Sequence, residues 1–187
     1  MTTQTVIQTE QLKLNLLDES YAGQVLDFFT RNKDHLRQWE PLRTPEYYTV
    51  EHQSRMLRNH KRKIEDGQMF QVWMFKKEDE DDETIIGCIT LENIERGPFL
   101  SCRLGYRMDF EERNKGYMTE ALRAVIRYAF DGLDLHRIEA AVMPLNLPSL
   151  RVVQKLGFQQ EGVSRNYLKI NGEWEDHTRW ALLNDRL

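Results

Sequence analysis

Apolar residues recur along this chain first with the period of a strand and then with that of a helix. Leu12, Leu14 and Leu16 alternate with Lys13 and Asn15, which predicts a half-buried strand. Behind a capping Ser20, Tyr21, Val25, Leu26 and Phe29 share one helical face that ends at Asn32. A second helix is predicted from Thr49 to Gly67, with Met56, Leu57 and Ile64 inward and a basic outer face. Two strands, 69–75 and 85–93, flank a polar run. Residues 100–108 read as a strand, 119–130 as an amphipathic helix with Ala121, Leu122, Val125, Ile126 and Ala129 inward, 137–142 as a strand, and 147–156 as a helix stopped by Gly157. A last hairpin, 162–169 and 174–182, turns at Asn171–Gly172, a dipeptide suited to the positive φ angles of a tight turn. Successive strands, then strand, helix, strand, helix and hairpin, predict an α/β (α+β) domain around a mixed, mostly antiparallel sheet.

The length of 187 residues suits one domain, residues 1–187, and neither an internal repeat nor a Gly/Ser- or Pro-rich linker divides it. The formal charge is −4, and a single loop accounts for it: Lys76, Lys77 and the six consecutive acids Glu78 to Glu83. That run lacks the spaced ligands and glycine of a calcium loop, so it is expected to be a solvated, self-repelling and mobile hairpin tip, and no metal site is expected. The remaining chain is charge-balanced, which speaks against direct nucleic-acid readout as the main task. No apolar run approaches the ~20 residues that cross a bilayer, and the first residues are polar. No membrane partner and a cytoplasmic location are therefore expected. Cys88 and Cys102 lie in apolar strand-like stretches outside any metal spacing and read as buried thiols.

The densest chemistry lies between the strand ending near Met108 and the helix opening at residues 116–119. A helix start offers unpaired N–H groups and a positive dipole end, Gly116 lets a ligand approach the backbone, and Arg113 and Lys115 add charge beside it. This is a cradle for a diphosphate. It is neither a Walker loop, since no glycine precedes Gly116 by five residues, nor the three-glycine dinucleotide fingerprint.

Arg113-x-x-Gly116-x-Met118, followed by Thr119-Glu120-Ala121, resembles the acyl-CoA loop Q/R-x-x-G-x-G/A of the GCN5-related N-acetyltransferases. His136-Arg-Ile-Glu-Ala, Val142-Met-Pro-Leu-Asn146-Leu-Pro-Ser149 and Lys155-Leu-Gly157-Phe158 also resemble that family, in its branch acting on ribosomal-protein N-termini, as do residues 32–41 and Asp176-His177. Met118 departs from the short pattern and is expected to narrow the approach to the phosphates while leaving the backbone donors in place. The resemblance implies acetyl-CoA as cosubstrate, bound where two parallel strands splay apart. It implies Met108 and Tyr106 backbone N–H groups along the pantetheine arm and at the thioester carbonyl. Arg113, Asn114, Lys115, Gly116, Tyr117, Met118 and Thr119 would hold the diphosphate, Asn146 the arm, and Ser149 the sulfur. Asn146 and Ser149 also stand where helix caps are common, and the two roles are compatible. For the acceptor, the resemblance points to Trp39, Glu40, Arg43 and His177.

Many relatives carry a glutamate two residues before the Gly-Tyr of the central strand; this chain has Arg103 there. Glu92 is the substitute candidate for amine deprotonation, Ser149 for proton return, and the Tyr106 strand for oxyanion stabilisation. An α-amine, with pKa near ~8 against ~10.4 for lysine, is already about a tenth neutral at pH 7 and needs less help from a base. The expected reaction is direct acetyl transfer in a ternary complex to a protein N-terminus, above all the N-terminal alanine of a small-subunit ribosomal protein. Two other readings stand beside it: a small-amine acetyltransferase, and a non-catalytic ribosome- or RNA-associated module using Arg55, Arg58, Lys61, Arg62 and Lys63. The family allows a homodimer.

Overall fold

A computed structural model describes residues 4–185. One sheet of eight strands runs through it in the order β1-β2-β3-β4-β5-β6-β8-β7. These are β1 (Gln4–Gln8), β2 (Leu12–Leu16), β3 (Phe70–Lys76), β4 (Gly87–Glu95), β5 (Ser101–Met108), β6 (Arg137–Val142), β7 (Gln159–Ile170) and β8 (Glu173–Leu183). Every neighbouring pair is antiparallel except β5 and β6, which are parallel. The helices are α1 (Ala22–Arg31), α2 (Lys33–Arg37), α3 (Val50–Glu65), α4 (Tyr117–Asp131) and α5 (Leu147–Lys155).

Strand β3 is buried along nearly its whole length because both its faces are covered. Phe70, Val72 and Met74 pack with Leu12, Leu14, Ile89, Leu91, Leu104 and the α4 residues Ala121, Leu122 and Val125 on one face. Trp73 and Phe75 pack with Val25, Phe28, Phe29, Leu36 and Leu57 of α1 to α3 on the other. The pleat thus sorts side chains into an α4/α5 face and an α1–α3 face. The same alternation on β5 sends Cys102 and Leu104 to the first and Arg107 to the second, where its guanidinium stands over the Phe29 ring.

Several sequence expectations shift. Asp18, not Ser20, starts the first helical segment: its carboxylate accepts from the Ser20 N–H at 2.9 Å and hydroxyl at 2.6 Å, capping a 3-10 turn before α1. The acidic run is not a free tip. Asp79 accepts from the Glu83 and Thr84 N–H groups at 3.2 and 2.9 Å, and Asp82 is buried against Lys13 and the Asn15 amide. Only part of the run is solvated, because Asp82 ties it to β2 and the Asp79 carboxylate folds it back on itself.

Candidate active site

Strand β5 follows β4 along its length, from Ser101 opposite Glu95 to Met108 opposite Gly87. It pairs with β6 only from Ser101 to Leu104, opposite Arg137 to Ala140. Beyond that point Ala141 and Val142 stay with β8, and Val142 also accepts the Thr178 hydroxyl at 2.8 Å. Each central strand remains with its outer neighbour, and a gap opens beside residues 105–108.

Peptide alternation determines what faces the gap. The Leu100 carbonyl accepts from the Arg137 N–H at 3.1 Å, so from Cys102 onward the even-numbered N–H groups of β5 point toward β6. Asp109, an odd position, correspondingly donates to Ile86 beyond β4 at 2.9 Å. The N–H groups of Tyr106 and Met108 therefore open into the gap, two preorganised donors with no strand opposite them.

The end of β5 is held firmly. The Asp109 carboxylate accepts from Arg31 Nε at 2.7 Å, Asn32 Nδ2 at 3.0 Å and the Glu111 N–H at 2.9 Å, while Asn32 Oδ1 accepts from the Phe110 N–H at 2.8 Å. Burial alone would raise the Asp109 pKa, but these donors outweigh it and hold the carboxyl below its ordinary value.

From there the chain turns into α4. Asn114 (φ 63°) and Gly116 (φ 89°) take left-handed conformations, and Gly116 caps the helix with open space where a Cβ would stand. The first-turn N–H groups of α4 lack intrahelical partners by the geometry of any helix start. Arg113 lies 3.7 Å over the Phe110 ring and donates to its carbonyl at 2.9 Å, and Lys115 meets Glu112 at 2.8 Å. Glu112 also binds Lys76 at 2.7 Å, so the positive charge beside the helix start is held in place rather than free. Met118 is buried in the core, so it does not narrow the approach, contrary to the expectation for that position. Glu120 accepts from the Gln11 backbone and side chain at 2.8 and 2.6 Å and fixes the first turn of α4 to the β1–β2 turn.

On the α4/α5 face, the Tyr106 phenol and the Ser149 hydroxyl lie 2.5 Å apart. Asn146 caps α5 by accepting the Ser149 N–H at 3.2 Å, which fixes Ser149 at the helix start. Burial pushes the Tyr106 phenol up to about 12, against the opposing pull of Ser149, so the pair keeps its protons at neutral pH. The sequence reading assigned Tyr106 only its backbone; its phenol is a feature it missed.

The opposite face holds the candidates for the acceptor. Glu92 is exposed on β4 across from Arg103. Glu40 is buried and its two oxygens are taken by Arg107 and, at 3.2 Å, Arg43. Burial pulls the Arg107 pKa down, but Glu40 more than compensates, so the guanidinium stays charged. Glu40, Arg43 and Arg107 thus form an internal ion network on this face. Trp39 lines a cleft of about 480 Å³ with Gln38, Met143, Leu145, Glu173 and Glu175. His177 is buried below that rim, its Nδ1 3.1 Å from the Glu175 carbonyl and its ring against Tyr167. Of the basic residues on α3, Arg55 pairs with Glu46 at 2.6 Å and Arg58 lies 3.7 Å from Glu19.

A profile of the Acetyltransferase (GNAT) domain matches residues 11–159. The chain belongs to the GNAT acetyltransferase family. Among curated relatives, "Probable N-acetyltransferase YjcK" of Bacillus subtilis (strain 168) is 40% identical over 168 residues, 90% of this chain and 91% of that protein. The "[Ribosomal protein uS5]-alanine N-acetyltransferase" of Escherichia coli (strain K12) is 36% identical over 94% of this chain and 89% of its own length. The solved structure of Mycobacterium smegmatis RimJ in complex with CoA-disulfide superposes with a TM-score of 0.86 at 26% identity, covering 94% of this chain and 83% of that one. This GNAT protein is an acetyl-CoA-dependent N-acetyltransferase. Its own geometry fits that cosubstrate, because an extended amide-bearing arm ending in a diphosphate matches a one-sided strand edge that leads to an open helix N-terminus. Among the described residues no group of His, Cys, Asp and Glu is placed to hold a metal ion. No helix there is long and apolar enough to cross a membrane.

Proposed function

We propose that this enzyme acetylates the N-terminal α-amine of a protein, of the ribosomal type that its uS5-alanine relative modifies. The parting of β5 from β6 supports the cosubstrate half of the reading, and the acceptor of the 36% identical relative supports the other. In it, the edge of β5 receives the pantetheine arm through the Met108 N–H, and the Tyr106 N–H stabilises the thioester oxygen as it gains charge. Residues 113–119 hold the diphosphate, with Asn114, Tyr117 and Thr119 contributing beside Gly116. Asn146 keeps its Nδ2 for the arm, since its Oδ1 already caps α5.

The amine attacks from the α1–α3 face. A C–N bond forms, the C–S bond breaks, the nitrogen loses one proton and the departing thiolate gains one. Return of that proton falls to the Tyr106–Ser149 pair, two hydroxyls in contact on the α4/α5 side beside the Tyr106 N–H. Loss of the amine proton falls on the other face, through water or Glu92, the exposed carboxylate there. Burial pushes the Cys88 thiol up and the Cys102 thiol up to about 12, so neither supplies the thiolate that an acetyl-cysteine route requires. Direct transfer in a ternary complex follows. Trp39, Glu40, Arg43 and His177 form the acceptor wall, and the setting is the cytoplasm, where ribosomal proteins are made.

Thiol release from acetyl-CoA, measured with a free Ala-starting peptide, its N-blocked form and a set of small amines, tests the acceptor. Activity confined to the free peptide supports the proposal. Activity confined to small amines overturns it in favour of the small-amine reading, and no turnover with any acceptor would favour a binding module.

A further inference from the structure

Two buried polar side chains interrupt the packed α1–α3 face near the centre of the sheet: Gln71 on β3, 6% exposed, and Thr90 on β4, 7% exposed. Burying polar groups there is costly unless each is bonded, and they form a directed chain. His60 on α3 lies with Nδ1 2.8 Å from Gln71 Oε1. An amide oxygen only accepts, so Nδ1 carries the proton, and burial holds the imidazole pKa below its ordinary value, keeping the ring neutral. Gln71 Nε2 in turn donates to Thr90 Oγ1 at 2.9 Å. The hydroxyl oxygen thereby accepts from Gln71, which leaves the Thr90 O–H as the terminal donor of the chain.

Thr90 is placed beside the gap by the strand register. Thr90 stands directly across from Gly105, the first β5 residue beyond the last β6 pair, and a Cβ placed on Gly105 would meet nothing within 4 Å. The Gly105 carbonyl shares its peptide unit with the Tyr106 N–H that opens into the gap. Thr90 therefore borders the empty space over which an amine must travel to reach a thioester at that N–H. On the same face Cys88 and Arg107 bound it on one side and Glu92 and Arg103 on the other, two pairs that are in register across the same strands.

We propose that Thr90, oriented by Gln71 and His60, donates to the first carbonyl of the acceptor peptide and thereby selects α-amines over side-chain amines; the inference rests on the N-terminal acceptor reading. An N-terminal amine has a carbonyl two bonds beyond its nitrogen, on the far side of Cα, whereas a lysine ε-amine carries only methylenes there. A single fixed donor discriminates the two, since the wrong amine leaves the hydroxyl unpaired in a dry site.

The test compares an Ala-starting peptide with an analogue whose first peptide bond is a trans-alkene, which keeps length and shape but has no oxygen. The wild-type enzyme should prefer the natural peptide in kcat/KM by about tenfold, the worth of one hydrogen bond of ~1.4 kcal/mol. With each rate referred to its own concentration of neutral amine, since the alkene analogue is the more basic, Thr90→Val should bring the two substrates to within about twofold while leaving the KM for acetyl-CoA in place, and Thr90→Ser should restore the preference. A preference unchanged in Thr90→Val, or Thr90→Ser behaving like Thr90→Val, overturns the proposal and reduces Thr90 to packing. A wild-type enzyme inactive on the natural peptide would instead overturn the acceptor reading beneath it, so the two failures are distinct.

Discussion

At the residue scale, the 2.5 Å contact between the Tyr106 phenol and Ser149 is the feature with the largest chemical consequence. The two groups are 43 residues apart in sequence and meet only because α5 starts beside the open strand edge. If they return the proton to the leaving thiolate as a pair, Ser149→Ala and Tyr106→Phe should each lower kcat by about 10²-fold, with smaller changes in acetyl-CoA affinity. The double variant should fall no further than the worse single one, because either removal breaks the same unit. Independent, multiplying losses in stopped-flow turnover would contradict this. The placement of Asn146 and Ser149 at a helix start and of Tyr106 near the end of a strand was legible in the sequence because it belongs to local motifs. The Tyr106 phenol was not, since nothing in a strand's alternation says which helix will cover it. The ion pair that occupies Glu40 was not legible for a related reason: its partner Arg107 is 67 residues away, and the pairing is a product of tertiary folding.

At the element scale, the strands and helices with clean periodicity were legible, and the misses have identifiable causes. Strand β1 escaped because its register shifts between Thr5 and Ile7, which lets the adjacent Val6 and Ile7 both reach the core and erases the expected alternation. Helix α2 is five residues long with Leu36 as its buried residue, too little for a period to show. The parallel pairing of β5 with β6, and the length at which it stops, belongs to topology and is invisible to local pattern. The start of α4, by contrast, was plain from Gly116. Its φ of 89° is costly for any residue with a side chain, and an acid there would also face the diphosphate. Gly116→Asp should therefore weaken acetyl-CoA binding by at least about tenfold in calorimetry, combining about 1 kcal/mol of strain with charge repulsion. Unchanged affinity would remove residues 113–119 from the diphosphate site.

Taken as a whole molecule, the chain reads differently from its bulk charge. The net −4 sits in one loop, yet two of that loop's acids are structural, and carboxylates held below their ordinary pKa lie elsewhere in the fold. Asp109, Glu112 and Glu120 all have pKa values held below their ordinary range: burial opposes this in each, and donors from Asn32 and Arg31, from Lys115 and Lys76, and from Thr9 and Gln11 respectively prevail. A depressed folded-state pKa means that the unfolded chain binds more protons, so the stability from these groups is fully present above the unfolded value of about 4 and is lost as pH falls through the lower folded values. Asp109→Asn should cost stability at neutral pH and flatten this acid limb in urea unfolding curves; an acid limb identical to wild type would show that Asp109 does not anchor the end of β5. In the proposed mechanism both faces of the sheet serve the site, one returning a proton and the other admitting the amine, and the direct test of the proposed acceptor is where the acetyl group goes. An Ala-starting peptide that also contains a lysine, incubated with enzyme and acetyl-CoA and sequenced by tandem mass spectrometry, should carry one acetyl group on the α-nitrogen of the first residue. Acetyl on the lysine side chain, with the α-nitrogen free, would contradict the account.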